Sequence, residues 1–138
     1  MHHISLGELG TCDATLTQDQ ALVAIGLAAV SSDGDASGDE LVGLLDSLAR
    51  FGVGDSDEAR QDLTRGVIAL SRQHGPGPVT GVALATLAAD RKETALRLSF
   101  DVLMADGELP DDELTFIGEL QHALGISDDR YNALLEQA

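Results

Sequence analysis

The sequence predicts an all-α fold, a compact bundle of about seven helices in two pseudo-symmetric halves. Three observations carry this expectation. Apolar residues recur at helical spacing along most of the chain. The hydrophobic supply, 43% of the residues, is mainly Ala, Leu and Val, with three Phe, one Tyr and no Trp, which suits helices packed through small aliphatic side chains better than a β-sandwich. An acidic helix-turn-helix pattern also occurs twice. At 138 residues the chain has the length of one ordinary domain.

Residues 1–16 carry little periodicity and read as an N-terminal arm, with one short helical turn near Ile4 to Leu9. The helical domain is expected over 17–138. A first helix begins after Thr17, carries Leu22, Val23, Ile25, Leu27 and Val30, and stops at Ser32-Asp33-Gly34. A second starts at Ser37, where Ser37 and Glu40 fit a capping box, and buries Leu41, Leu44, Leu45 and Leu48 before ending at Gly52 and Gly54. A third follows the N-cap candidates Asp55, Ser56 and Asp57 and ends before Gly75-Pro76-Gly77-Pro78, which reads as a connector. A fourth, nearly all apolar, runs from Val79 to Ala89. Asp90-Arg91-Lys92 reads as a tight turn into a fifth, which carries Leu96, Leu98, Phe100, Val102 and Leu103. A sixth runs from Pro110 to Gly125, and a seventh follows Ser127.

Displacing the chain against itself by 73 positions aligns Asp33-Gly34-Asp35 with Asp106-Gly107-Glu108, Asp39-Glu40-Leu41 with Asp112-Glu113-Leu114, Gly52 with Gly125 and Asp55 with Asp128. Val23, Ile25 and Val30 fall on Leu96, Leu98 and Leu103. The pattern reads as a duplicated unit, about 20–62 and 93–135, whose two copies bury each other's apolar faces.

The formal charge is −16, with 24 acids against 8 bases, and Lys92 is the sole lysine. A nucleic-acid backbone would be repelled by this field, and the arginines are scattered through the sequence; cations and basic protein surfaces are the partners it favours. Such acidity also occurs in proteins adapted to high salt. Cys12 stands alone, so no internal disulfide is possible. The longest apolar run, Ala21 to Val30, is half of the roughly 20 residues a membrane span needs, and no signal peptide is evident. These features lead to an expectation of a cytoplasmic protein with no membrane insertion.

The residues that could carry chemistry are acids. In each half a helix ends in an Asp-Gly-acid corner and an Asp-Glu pair opens the next helix, so Asp33, Asp35 and Glu40 gather in one half and Asp106, Glu108 and Glu113 in the other. Two carboxylates about 4 Å apart at an effective dielectric near 20 repel by roughly 4 kcal/mol, so such groups protonate, spread into water or hold a cation. Oxygen-only ligation suits Ca²⁺ or Mg²⁺, and less often Mn²⁺ or Zn²⁺. The spacing is not that of an EF-hand. The alternative is purely structural: Asp-Gly turns end helices, and Asp39, Glu40, Asp111, Asp112 and Glu113 in first turns complement the helix dipole. His74 reads as a dipole partner at a helix end; His2, His3 and His122 form no ligand pair. Asp101 is the one acid without a partner in the repeat, either extending the second corner or solvated.

The run Ala105-Asp106-Gly107-Glu108, then Pro110-Asp111-Asp112-Glu113-Leu114, then Ala123-Leu124-Gly125-Ile126-Ser127 resembles the TerB family of tellurite-resistance proteins. The first half, from Ser32-Asp33-Gly34-Asp35 through Glu40 to Phe51-Gly52, is similar to the same pattern. The resemblance implies about seven helices in two halves and an acidic surface that binds metal ions, with Asp33, Glu40, Asp106 and Glu113 as its functional acids. It also implies a place in cytoplasmic stress-response assemblies alongside other Ter-type components, some of them membrane-embedded. The near absence of lysine departs from typical members.

The function expected from these readings is a non-enzymatic, acidic, metal-ion-binding scaffold or sensor in a tellurite-resistance or stress-response type of system. The alternative is a protein-interaction module whose acidic face docks a basic partner without a specific metal.

Overall fold

The computed structural model describes residues 12, 13, 15–30, 38–104 and 111–136, and within these not the side chains of residues 76, 111–114 and 135. The expected N-terminal helical turn, Ser37 of the expected capping box and both Asp-Gly-acid corners lie outside the described residues.

Seven helices and no strand occur among the described residues: α1 (Gln18–Val30), α2 (Gly38–Arg50), α3 (Asp57–His74), α4 (Pro76–Thr86), α5 (Ala89–Leu103), α6 (Asp111–Leu124) and α7 (Asp128–Glu136). The axis of the core is α1. Every residue from Ala21 to Val30 is buried, and α2, α3, α4 and α5 all pack on this helix. A helix apolar on all sides is stable only where neighbours surround it, which is why the longest apolar run of the chain sits at its centre. The fourth helix, expected to be nearly all apolar, instead buries Val79, Thr80 and Ala83 and leaves its other described side chains partly or fully open.

A capping box starts α1. Gln20 N donates to Thr17 Oγ1 at 3.1 Å, and Thr17 N donates back to Gln20 Oε1 at 2.8 Å, satisfying two donors at the helix start. Gln18 then reaches across to the junction of α4 and α5. Its Nε2 donates to Thr86 O at 2.8 Å and its Oε1 accepts from Ala88 N at 2.9 Å. One side-chain amide thus serves the last turn of α4 and the entry to α5, where Ala88, the N-cap residue, has no side chain to do so.

Two boundaries differ from the expectation. The Gly-Pro run is not a connector: Gly75 alone separates α3 from α4, at φ +93°, and Pro76 opens α4, where a missing N–H costs nothing. Asp90-Arg91-Lys92 is not a turn but lies in the first turn and a half of α5, with Arg91 N and Lys92 N both donating to Ala88 O.

The helix bounds keep the 73-residue offset: α1 ends at Val30 and α5 at Leu103, and α2 opens at Gly38 and α6 at Asp111. The ends of α2 and α6 match bond for bond. Gly52 N donates to Ala49 O and Val53 N to Leu48 O; Gly125 N donates to His122 O and Ile126 N to Gln121 O. Both glycines sit at φ +72°. This is the Schellman closure, in which a left-handed residue lets two stranded carbonyls of the last turn find donors. Beyond it the offset shortens by two. The N-cap of α3 is Ser56, whose Oγ accepts from Ala59 N at 3.1 Å, and Ser127 Oγ accepts in the same way from Arg130 N at 3.2 Å. Asp55 and Asp128, aligned in the sequence, are therefore not equivalent: Asp55 precedes a cap and Asp128 follows one.

Candidate functional site

The helix ends that border the two acid-bearing segments are set by the pairing of α2 with α5. Ser47 Oγ donates to Asp101 Oδ2 at 2.6 Å. One turn earlier on α5, the Arg97 guanidinium lies 5.3 Å from the centre of the Phe51 ring, one turn beyond Ser47, a cation–π distance. The two helices therefore run antiparallel. The C-terminal end of α5, leading to 105–110, and the N-terminal end of α2, preceded by 31–37, accordingly lie at the same end of the pair.

Of the six acids singled out as metal ligands, Asp33, Asp35, Asp106 and Glu108 lie outside the described residues. Glu113 stands in the first turn of α6 with its side chain undescribed. Glu40 is half-buried in the first turn of α2, next to exposed Asp39. Carboxylate oxygens as the donor set fit a hard cation such as Ca²⁺ or Mg²⁺. Among the described residues no group of three or more His, Cys, Asp or Glu side chains could hold a metal ion.

The acid that sequence reasoning left without a role has one. Asp101 Oδ2 accepts from Ser47 and from both Nε (3.2 Å) and Nη2 of Arg50, so it ties the helix before one acidic segment to the helix after the other. Arg50 Nη2 also donates to Ser47 Oγ at 3.1 Å. The signal in the sequence was a charged residue inside an apolar stretch; the partner half was invisible because Ser47 and Arg50 are remote in the chain. A second tie joins α5 to α7, where Arg130 grips Glu93 with two bonds of 2.8 and 2.7 Å. This bidentate grip holds the Glu93 carboxyl below the usual carboxylate range.

The surface also carries shallow grooves. One, between α2 and α3, is lined by Val42, Leu45, Asp46, Ala49, Asp57 and Gln61, with Arg60. Asp57 pairs with Arg60 at 2.6 Å, and Arg60 also donates to Gly54 O. Val42, 59% exposed, is the one large hydrophobic side chain left open among the described residues. No helix among the described residues is long and apolar enough to cross a membrane.

An all-α bundle whose two halves repeat at a fixed offset and close α2 and α6 with the same hydrogen bonds defines a duplicated helical domain. The model of one protein family, described as tellurite resistance protein TerB, matches residues 19–136, and the chain belongs to the TerB family. No curated protein and no solved structure matches the chain.

Proposed function

We propose that this TerB domain is a non-enzymatic, cation-responsive scaffold or sensor of a cytoplasmic stress-response system of the tellurite-resistance kind. The observation that carries this reading is the antiparallel pairing of α2 and α5, seen in Ser47–Asp101 and Phe51–Arg97. It brings the helix ends bordering both acidic segments to one end of the pair. Acids drawn from two segments of a chain of charge −16 repel unless a cation joins them. The same pairing supports a sensing role, because Asp101 and Arg50 link the helices on which such a cation would act. Partners of this scaffold are other proteins, including Ter-type components, some of them membrane-embedded.

Thermal unfolding followed by circular dichroism tests this, comparing EDTA with Ca²⁺, Mg²⁺, Mn²⁺ and Zn²⁺ at matched ionic strength. A site occupied at a hundredfold over its Kd raises stability by about 2.7 kcal/mol, whereas screening of the net charge treats all divalent ions alike. The expected result is a rise selective for one ion, lost when Asp33, Glu40, Asp106 and Glu113 are changed together to Asn or Gln. A uniform rise, or none, overturns the cation reading.

A further inference from the structure

We propose that the groove between α2 and α3 is a docking site for a basic amphipathic helix of a partner protein, with Val42 in its lining. The proposal rests on the reading that the chain works through protein partners, and is independent of any bound cation.

The exposed stripe of α2 is Asp39, Val42, Asp46 and Ala49, at helical spacing, with half-buried Leu45 beside it. Acidic and apolar side chains alternate along this stripe. Across the groove stand Asp57 and Gln61 of α3. Asp57 is already paired with Arg60, whose side chain is largely buried, while Asp39 and Asp46 have no ion-pair partner among the described residues. Asp46 therefore gives the groove a free negative charge, with Asp39 two turns away on the same exposed stripe.

The second half of the molecule shows that the fold does not require this surface. Through the matched closures of α2 and α6, Val42, Leu45 and Ala49 correspond to Thr115, Gly118 and His122, while Asp46 corresponds to Glu119. The acid recurs in both halves; the apolar stripe is found in one. One exposed valine is ordinary on a protein surface, but Val42 lines the groove together with Leu45 and Ala49, and the three give it an apolar wall that the other half lacks. The charge selects the occupant. A second copy of a chain carrying −16 would be repelled, whereas a helix with Leu or Ile along one face and Lys or Arg flanking it meets both the valine and the acids.

The test uses the full chain in EDTA, which separates it from the cation experiment. The probe is a fluorescent Lys/Leu amphipathic helix of about five turns, set against a scrambled peptide of the same composition and read by anisotropy and amide chemical shifts. Binding of the amphipathic peptide at least about tenfold tighter than the scrambled one, with shifts on α2 and α3, is expected. The exposed, charge-neutral double variant Val42→Gln/Ala49→Gln should weaken it about tenfold. The matched variant Thr115→Gln/His122→Gln in the other half should leave it unchanged. Equal binding of the scrambled peptide, wild-type affinity in the Val42/Ala49 variant, or a dimer of the chain dissolved by that variant would each overturn the proposal, the last by making a second copy the occupant.

Discussion

The Ser47 hydroxyl of α2, fully buried, donates its hydrogen to Asp101 of α5 at 2.6 Å, and this bond spans the two halves of the molecule. Asp101 is a third exposed and Arg50 somewhat more than half, so their ion pair contributes less than about 1 kcal/mol. The buried hydroxyl matters more. Asp101→Ala strands its hydrogen and should cost ~1–2 kcal/mol, while Asp101→Asn keeps an acceptor and should cost about half as much. Urea unfolding of the two variants checks this; equal losses would mean that charge, not the serine, dominates.

Two glycines should respond to alanine in opposite directions. A Cβ on Gly26 of α1 would stand 2.6 Å from Leu44 Cδ1 and 3.6 Å from Leu98 Cδ2, and Leu44 is fully buried. Overpacking of about 1–3 kcal/mol then exceeds the helix-propensity gain of roughly 1 kcal/mol, and Gly26→Ala lowers Tm. At Gly66 of α3 a Cβ meets nothing within 4 Å, so Gly66→Ala should stabilise by ~0.5–1 kcal/mol.

The residue matching Gly26 in the second half is Ser99, completely buried, with its Oγ lacking a hydrogen-bond partner among the described residues. Ser99→Ala removes an unsatisfied hydroxyl and improves helix propensity, and should raise stability by about 1 kcal/mol. A loss of that size in calorimetry would reveal a partner for the hydroxyl.

Gly52 and Gly125 allow the two helix closures to be compared directly. Both stand at φ +72° with nothing within 4 Å of an added Cβ, so Gly52→Ala and Gly125→Ala carry only the backbone penalty. Each should cost roughly 1–2 kcal/mol, and the two costs should agree.

Glu93 gives the pH dependence. Its folded pKa lies below the ordinary value of 4.5, because Arg130 donates to the carboxylate and attracts it. A depressed acid contributes stability that is fully present above its unfolded pKa and is lost as pH falls through the folded one. Wild type should therefore melt above Glu93→Gln at neutral pH, with the gap closing as the medium is acidified below the usual carboxylate range. The exposed setting of the pair makes the gap shrink in about 1 M NaCl as well.

Much of the architecture was legible because helix starts and stops are local. Thr17, Ser56 and Gly75 each act on residues within one turn, and the periodicity of Leu, Val and Ala named the buried faces, while the return bond from Thr17 N to Gln20 was not anticipated. Errors arose where local rules conflict. Gly-Pro-Gly-Pro contains both a stop and a start, and the structure uses Gly75 for the first and Pro76 for the second. Asp90-Arg91-Lys92 looked like a turn because three charges interrupt an apolar run, yet exposed Asp90 complements the dipole at the start of α5, and Arg91 and Lys92 follow within that turn. Of the candidate metal ligands, the sequence named the acids and the structure describes the side chain of Glu40 alone.

By itself the sequence determined the helical class, the TerB pattern, the acidity and the doubling of the acid-bearing unit, since each depends on spacing and composition along the chain. Tertiary structure alone decided that α1 is the buried axis, that Gln18 serves the junction of α4 and α5, and that Asp101 joins Ser47 and Arg50 across the two halves. It also decided that Val42 stays open to solvent. These are contacts between residues about 50 to 70 positions apart, or the lack of one, and no local preference encodes them; they follow from which faces remain once each helix has buried its apolar side.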